Sequence, residues 1–505
     1  MAVFKNVHKC SDGGEVTSFG ERRHLWAIAL ALLATFLAVS NQSFWIDESI
    51  TAKFAMQPTF GAWLHTMLTA RGSDPQMPFY LLWIWGWEKI FGHGEYALRM
   101  AGWPFLAAGI VAFSWRKPML AIVCALSAFA WYYINEARPY SMQIGLALAM
   151  MGAAMRLAEG HLTLRSEIFW QMVLIISGVL LGLSHLLGMF WTAASWGFCI
   201  LCLPSLRNRA VLKKTIWAWL GACFLLLAVC CYYLWTIKNG LRATDAGVTD
   251  IRNVCFDLYE LLGFGGLGPG RLEIRDGGLA VFKPYAPWLA LYGLLLAGIL
   301  FVGIKGLFGR LGRKSAIILL FFILMAAAFI FGIGVVKHFR VLGRHLAPML
   351  PIFLWMMAEG AEFFWHRRGA PGKLIVSGWI TLALLSCLEY RFAERHAKDD
   401  YRSAAAVAKM ALKEGQTVWW DADPNGASYY GVPLSSPSAT SGRSAPEAVQ
   451  ISGASSALLE ALPRPDFIIA SKPDLFDPDG RIERYIESNH YTLEQTLVAF
   501  KIFEK

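Results

Sequence analysis

The chain has 505 residues, 56% of them hydrophobic and 16% charged, with a mean hydropathy of +0.44. An ordinary soluble domain carries roughly 25% charged residues, so this composition excludes a purely soluble protein. Repeated apolar stretches near ~20 residues indicate an α-helical polytopic membrane protein. The formal net charge of +10 does not call for nucleic acid. Much of it lies in short loops: Arg207, Arg209, Lys213 and Lys214; Lys305, Arg310, Arg313 and Lys314; Arg367, Arg368 and Lys373. Short basic loops between spans face the cytoplasm.

In chain order, a cytoplasmic tail, 1–24, carries Lys5, Lys9, Arg22 and Arg23. The uncharged apolar segment 25–44 follows, long and without a clear cleavage site, so it reads as a span rather than a signal peptide. Asp47-Glu48 comes directly after it and should emerge on the outer side. Carboxylates at the mouth of a helix bundle are costly unless solvated or paired, which makes them a candidate site; plain water-facing loop residues are the alternative. The outer loop 45–77 mixes Phe54, Met56, Phe60 and Trp63 with polar residues, as interfacial helices do. Segment 78–91 is short against a ~30 Å hydrocarbon core and contains Glu88 and Lys89, so it reads as re-entrant or interfacial.

Further spans are expected over 97–115, 118–134, 139–157, 168–185, 187–204, 215–236, 286–304, 315–336, 346–365 and 374–390. With the first, they give about eleven crossings and a transmembrane domain over 25–390. This topology puts 136–138, His185, 237–285 and 337–345 outside. The C-terminal region 391–505 lies outside too. It alternates a helix over 399–413, strands over 417–420 and 466–470, a helix over 481–488 and a strand over 492–503, which predicts a small α/β domain. Residues 435–444 read as a loop. Most cysteines fall in apolar segments and none follows Tyr390, so no disulfide framework is expected there.

Several motifs recur in a recognisable order. Asp47-Glu48 follows the first span. Ser73-Asp74-Pro75-Gln76-Met77-Pro78-Phe79-Tyr80 is similar to the D-x-H-P-P-L-Y segment of protein mannosyltransferase-like enzymes. Phe91-Gly92-His93-Gly94-Glu95-Tyr96-Ala97-Leu98-Arg99 looks like their next stretch. Glu136-Ala137-Arg138-Pro139-Tyr140 resembles E-A-R-x-Y, and Arg344-His345-Leu346-Ala347-Pro348 resembles R-Y-x-x-P. The ordered set covers most of 25–365. It resembles the GT-C-fold, polyprenyl-phosphate-sugar-dependent glycosyltransferases, which include protein O-mannosyltransferases and the lipid A aminoarabinose transferase. The chain departs at Gln76 and Met77, where those enzymes carry His and Pro. A glutamine cannot exchange a proton near neutral pH.

The resemblance implies a multi-pass enzyme of the inner (cytoplasmic) membrane. It would move a sugar from a polyprenyl-phosphate donor to an extracytoplasmic acceptor with inversion. Such transfer needs a base for the acceptor and cations for the leaving phosphate. Asp47 is the candidate base, which the resemblance also implies. Glu48 would orient the acceptor or face water. Asp74 is a second candidate acid, or a turn former in Ser-Asp-Pro. Glu136 and Arg138 form a third element, or an internal ion pair. Arg138, Arg340 and Arg344 are outward cations against the positive-inside bias, with anionic headgroups as the alternative ligand. Tyr140, His185 and His345 complete the candidate donor site, with solvated or hydrogen-bonded rings as the alternative for the two histidines. No cofactor is required. A divalent metal between the carboxylates is conceivable, since hard cations take oxygen ligands, but no spacing demands one. The loop Gly263–Gly270 is not a nucleotide loop; it reads as a cover over the cavity or a flexible linker. The rival readings are a transporter or flippase and a non-catalytic scaffold. Polar residues gathered at outer span ends, with no internal repeat, weigh against the first. The motif order weighs against the second.

Overall fold

The computed structural model describes residues 17–70, 72–115, 117–159, 162–238, 249–437 and 446–505, with side chains from residue 23 onward. Lys5, Lys9, the side chain of Arg22, residues 239–248 of the outer loop and residues 438–445 of the expected loop 435–444 lie outside the described residues. Seven helices among the described residues are long and apolar enough to cross a membrane: Glu95–Ser114, Tyr140–Ala158, Leu164–Ser184, Arg209–Lys238, Arg271–Leu311, Arg313–Val336 and Gly369–Phe392. Arg23–Ala38 and Gly188–Cys202 are shorter apolar helices. The chain is thus a multi-pass helical protein, with seven such helices against the roughly eleven spans read from the sequence.

One broken segment accounts for part of that difference. The span expected over 118–134 is two helices, Pro118–Ala125 and Ala128–Ile134. Ser127 Oγ accepts a hydrogen bond from the Ala130 amide at 3.3 Å and starts the second helix. A serine at that position offers the backbone a cap in place of helical continuation. Segment 78–91 forms the helix Pro78–Phe91, of 14 residues, and 45–77 supplies Ile46–Ala55 and Phe60–Thr69.

The chain divides into two compact units. The first comprises Met1–Val39, Leu64–Ile84 and Arg99–His396; the second comprises Ser40–Trp63, Trp85–Leu98 and Ala397–Lys505. In the first unit, Trp103–Ser114 and Tyr140–Ala158 touch through glycine. A Cβ on Gly145 would fall 2.2 Å from the Phe105 carbonyl oxygen, and one on Gly109 2.1 Å from that of Gly145. Small residues let helix backbones meet where apolar burial alone cannot drive association. This contact fixes Tyr140–Ala158, and with it the connection that carries Glu136 and Arg138.

The second unit is built on a six-stranded sheet in the order β2-β3-β1-β4-β6-β5. The strands are β1 Val418–Asp421, β2 Leu434–Ser435, β3 Ala448–Gln450, β4 Phe467–Ser471, β5 Thr492–Leu497 and β6 Phe500–Glu504. β2, β3, β1 and β4 run parallel, whereas β6 pairs antiparallel with β4 and β5. β1 is buried on both faces. Trp420 enters one core with Ile469, Ile502 and the helix Tyr401–Lys413. Trp419 enters the other with Ile468, Ile482 and Ile486. The period of two along a strand sends these neighbouring indoles to opposite faces. The single strand expected over 492–503 is a β5–β6 hairpin turning at Val498-Ala499, with Ala499 at φ 65°. The turn lacks the glycine or asparagine that marks such hairpins in sequence.

Asp421 ends β1, almost fully buried, and accepts a hydrogen bond from Ser452 Oγ at 2.9 Å. Burial, opposed by that hydrogen bond and reinforced by Asp477, pushes its carboxyl up to about 7 from an ordinary 3.8. The folded unit therefore holds a proton that the unfolded chain has already lost. Stability falls as pH rises from near the unfolded value to near the folded one, then levels. Asp421→Asn removes this dependence. Its thermal midpoint should drop less than that of the parent between pH 5 and pH 8, as scanning fluorimetry in detergent would show. Parallel drops in both proteins would rule out this account.

Candidate functional site

The expected site residues fall in both units. In the second unit, the helix Ile46–Ala55 begins after Trp45, whose backbone is extended (φ −91°, ψ 178°). Asp47 and Glu48 occupy its first turn, where the exposed amides and the helix dipole favour negative charge. Asp47 is half-buried. Glu48 is fully buried and does not face water. Its Oε2 accepts from Lys398 Nζ at 3.1 Å and, at 3.5 Å, from the Trp45 amide.

In the first unit, Asp74 opens the short 3-10 turn Asp74–Gln76. Gly72, at φ 103°, supplies the left-handed residue that leads into it. The turn is pinned from several sides: Tyr232 Oη donates to the Pro75 carbonyl at 2.8 Å, and the Leu186 amide donates to the Gln76 carbonyl at 3.0 Å. Asp74 Oδ1 accepts from Arg138 Nη1 at 2.6 Å. Both side chains are largely buried, at 11% and 5% exposure. Glu136 and Arg138 lie between Ala128–Ile134 and Tyr140–Ala158, and Glu136 is buried. The cation of the Glu136-Ala137-Arg138 motif thus engages the acid of the Ser73-Asp74-Pro75 motif.

Tyr140 starts its helix under the Arg344 guanidinium, which stands 5.5 Å from the ring centroid, within cation–π range. Arg344 lies in the 3-10 segment Gly343–Met349. His345 stacks on His185, with centroids 6.3 Å apart and planes at 27°. His185 Nδ1 accepts from the Leu187 amide, and His345 Nδ1 accepts from the Leu342 amide, each at 3.0 Å. In each neutral ring the proton therefore sits on Nε2. Burial, then Arg138 and Arg344, pushes His185 down to about 3; burial, then Arg344 and His185, pushes His345 well down. These rings are neutral hydrogen-bond donors at pH 7 rather than cations. Arg340 is exposed on the segment before them.

Sequence reasoning missed a second ion pair in this unit, in which Glu260 is buried and Arg271 half-buried. Arg271 Nη2 donates to Glu260 Oε1 at 2.6 Å and to Tyr133 Oη at 3.0 Å, and its guanidinium stands 4.2 Å from the Tyr132 centroid. Nothing local separates Arg271 from nearby Arg275. Asp257, one turn before Glu260, is fully buried. Burial, then the Glu260 charge, pushes it up to about 8. Gly263–Gly270 is not a flexible linker. A Cβ on Gly266 would lie 1.9 Å from the Ser386 carbonyl oxygen, and Arg395 donates to the carbonyls of Gly266 and Gly268 at 3.0 Å. These glycines serve close packing. An apolar cavity lined by Met150, Leu181, Trp191, Phe198, Leu319 and Ile352 adjoins this region; Trp191 Nε1 donates to the His345 carbonyl at 3.0 Å. Among the described residues, no three His, Cys, Asp or Glu side chains gather as a metal site.

No protein-family model matches the chain, and no curated protein matches it. Among solved structures it is similar to ArnT, a lipid A aminoarabinose transferase, from Cupriavidus metallidurans bound to undecaprenyl phosphate. Identity is 11% and the TM-score 0.48, over 96% of this chain and 98% of that one. The apo state of ArnT gives 12% and 0.48 over the same shares. The archaeal oligosaccharyltransferase AglB from Archaeoglobus fulgidus, in complex with an inhibitory peptide and a dolichol-phosphate, gives 14% and 0.43, over 82% of this chain and 59% of that one. At these identities and scores the likeness carries no activity across.

Removing one partner of a buried ion pair costs about 3–5 kcal/mol, whereas replacing both by apolar groups costs much less. Asp74→Ala should therefore lower the thermal midpoint clearly, and Asp74→Ala/Arg138→Met should recover much of the loss. Unfolding of the purified protein in detergent checks both. An Asp74→Ala midpoint equal to the parent's would show that the pair carries no stability.

Proposed function

We propose that this chain is a membrane glycosyltransferase. It transfers a sugar from a polyprenyl-phosphate donor to an acceptor on the outer face of the cytoplasmic membrane, with inversion. The observation that carries this reading is the buried Asp74–Arg138 pair. It joins two motifs of the ordered set across 64 residues, as a shared site requires and as unrelated loop residues would not.

In this reading the acceptor oxygen attacks the anomeric carbon opposite the phosphate. The new carbon–oxygen bond forms as the bond to the phosphate oxygen breaks. The acceptor proton passes to the Asp47 carboxylate, and the electron pair leaves with the polyprenyl phosphate. Arg344 and Arg138 supply the charge-assisted donors that a leaving phosphate needs. Asp74 is committed to Arg138, which favours an orienting role over that of a free base. The neutral Nε2–H groups of His185 and His345 suit donor hydroxyls or phosphate oxygens. The lipid tail stays against apolar helices, with the Trp191-lined cavity as one candidate contact. The acceptor is a cell-envelope glycan, lipid or protein.

The test is transfer of radiolabelled sugar from a panel of polyprenyl-phosphate sugars into membrane extracts. Asp47→Asn should reduce turnover about 10²–10⁴-fold while expression and donor binding persist. Arg344→Ala should instead weaken donor binding. Near-normal turnover in Asp47→Asn would refute the base assignment.

A further inference from the structure

Within the second unit, the acidic helix Ile46–Ala55 is gripped by residues that lie far along the chain. Ile46 packs on the domain core that holds Trp420, Ile469 and Ile502. Tyr430 Oη accepts from the Phe44 amide at 2.8 Å and from Ser43 Oγ at 3.1 Å, and donates to Glu95 Oε1 at 2.9 Å. Arg402 completes the clamp: Nη2 donates to Glu95 Oε1 at 2.6 Å and to the Asn41 carbonyl at 2.9 Å, and its amide donates to Ser43 Oγ at 3.0 Å. Lys472 pairs with Asp399 and stands 5.9 Å from the Trp45 centroid. In parallel α/β sheets, ligands bind outside the carboxyl ends of the strands. Here that edge meets part of the chain itself. The helix Pro424–Tyr429, which follows the carboxyl end of β1, packs on Ile46–Ala55.

One contact of this grip reaches the acidic pair. Lys398 Nζ lies 3.1 Å from Glu48 Oε2, with side-chain exposures of 9% and 0%. Lys398 stands between the last long apolar helix, Gly369–Phe392, and the first helix of the domain, Tyr401–Lys413. A carboxylate buried this completely needs a cation and hydrogen bonds, or it neutralises or moves. Asp47 is its neighbour on the same helical turn, so a displaced Glu48 rotates or unwinds the turn that presents Asp47. Misplacement by about 1 Å costs a reaction about 10²-fold.

We propose that the C-terminal domain is part of the catalytic apparatus, and that Lys398 is a positioning residue which holds Asp47 in register through its buried ion pair with Glu48. This rests on Asp47 acting as the base. Asp47 is then set through Glu48, whose partner lies 350 positions away, and the domain does more than recognise the acceptor.

The test uses the full-length protein with the donor panel above, and turnover is normalised to monodisperse folded protein. Lys398→Met should lower kcat at least 10-fold per folded molecule and leave donor KM within about 3-fold. Lys398→Arg keeps the cation and should recover most of kcat. Glu48→Gln should lower kcat similarly, and adding Lys398→Met to it should cost little more, because coupled residues are not additive. If Lys398→Met does not fold, the Arg and Gln variants still decide. Unchanged kcat in Glu48→Gln, or multiplicative losses in the double variant, would overturn the inference. Parent activity with a dead Asp47→Asn and a normal Lys398→Met would overturn it while leaving the function standing. A parent that transfers nothing, or a fully active Asp47→Asn, would overturn the functional reading and the inference with it.

Discussion

A charge removed from water must find its opposite, and several ion pairs among the described residues meet that constraint in the polar interior. Asp74–Arg138 and Glu260–Arg271 do so in the first unit, and Glu48–Lys398 in the second. Each pair has at least one member that is nearly fully buried. Such pairs add little net stability, because desolvation offsets the attraction. They are geometrically demanding, however: a carboxylate and a guanidinium or ammonium either meet at hydrogen-bond distance or the local fold fails. The polar residues of these pairs are therefore fixed by their partners.

The two units apply different physics to the same end. In the helical unit, glycine brings backbones into contact. Gly109 and Gly145 let Trp103–Ser114 meet Tyr140–Ala158, and Gly266 lets its loop rest on Ser386. In the sheet unit, large aromatic side chains do the work that glycine does in the other. Trp419 and Trp420 fill both faces of the central strand. The first arrangement suits a setting where burial of apolar surface drives little association, and the second suits one where water drives it strongly.

Much of the architecture was legible in the sequence because it follows from periodicity and composition. The long apolar helices and the helix–strand alternation after Tyr390 come from local pattern. The motif order was legible as well, and two of its members proved to be in contact through Asp74 and Arg138. What escaped was tertiary. Gly263–Gly270 has the composition of a linker, yet it is tightly packed, since composition does not say what lies on the other side of a glycine. Arg271 reads like any loop arginine until Glu260 and Tyr133 meet it. The break at Ser127 and the turn at Val498-Ala499 each depend on one residue against a strong surrounding pattern. Glu48 looked like a candidate for open water because its partner lies in a part of the chain that local reading cannot connect to it.

The second unit is assembled from three separate stretches, and this bears on the order in which the molecule is made. Phe44 and Tyr430 are 386 positions apart in the chain, so the early acidic helix leaves the ribosome long before its clamp exists. Contacts of such sequence separation form late and slowly. The helical bundle can insert and pack while the acidic helix still lacks its clamp. An interrupted translation product would carry the acidic helix without Tyr430 and Arg402, the residues that grip its start.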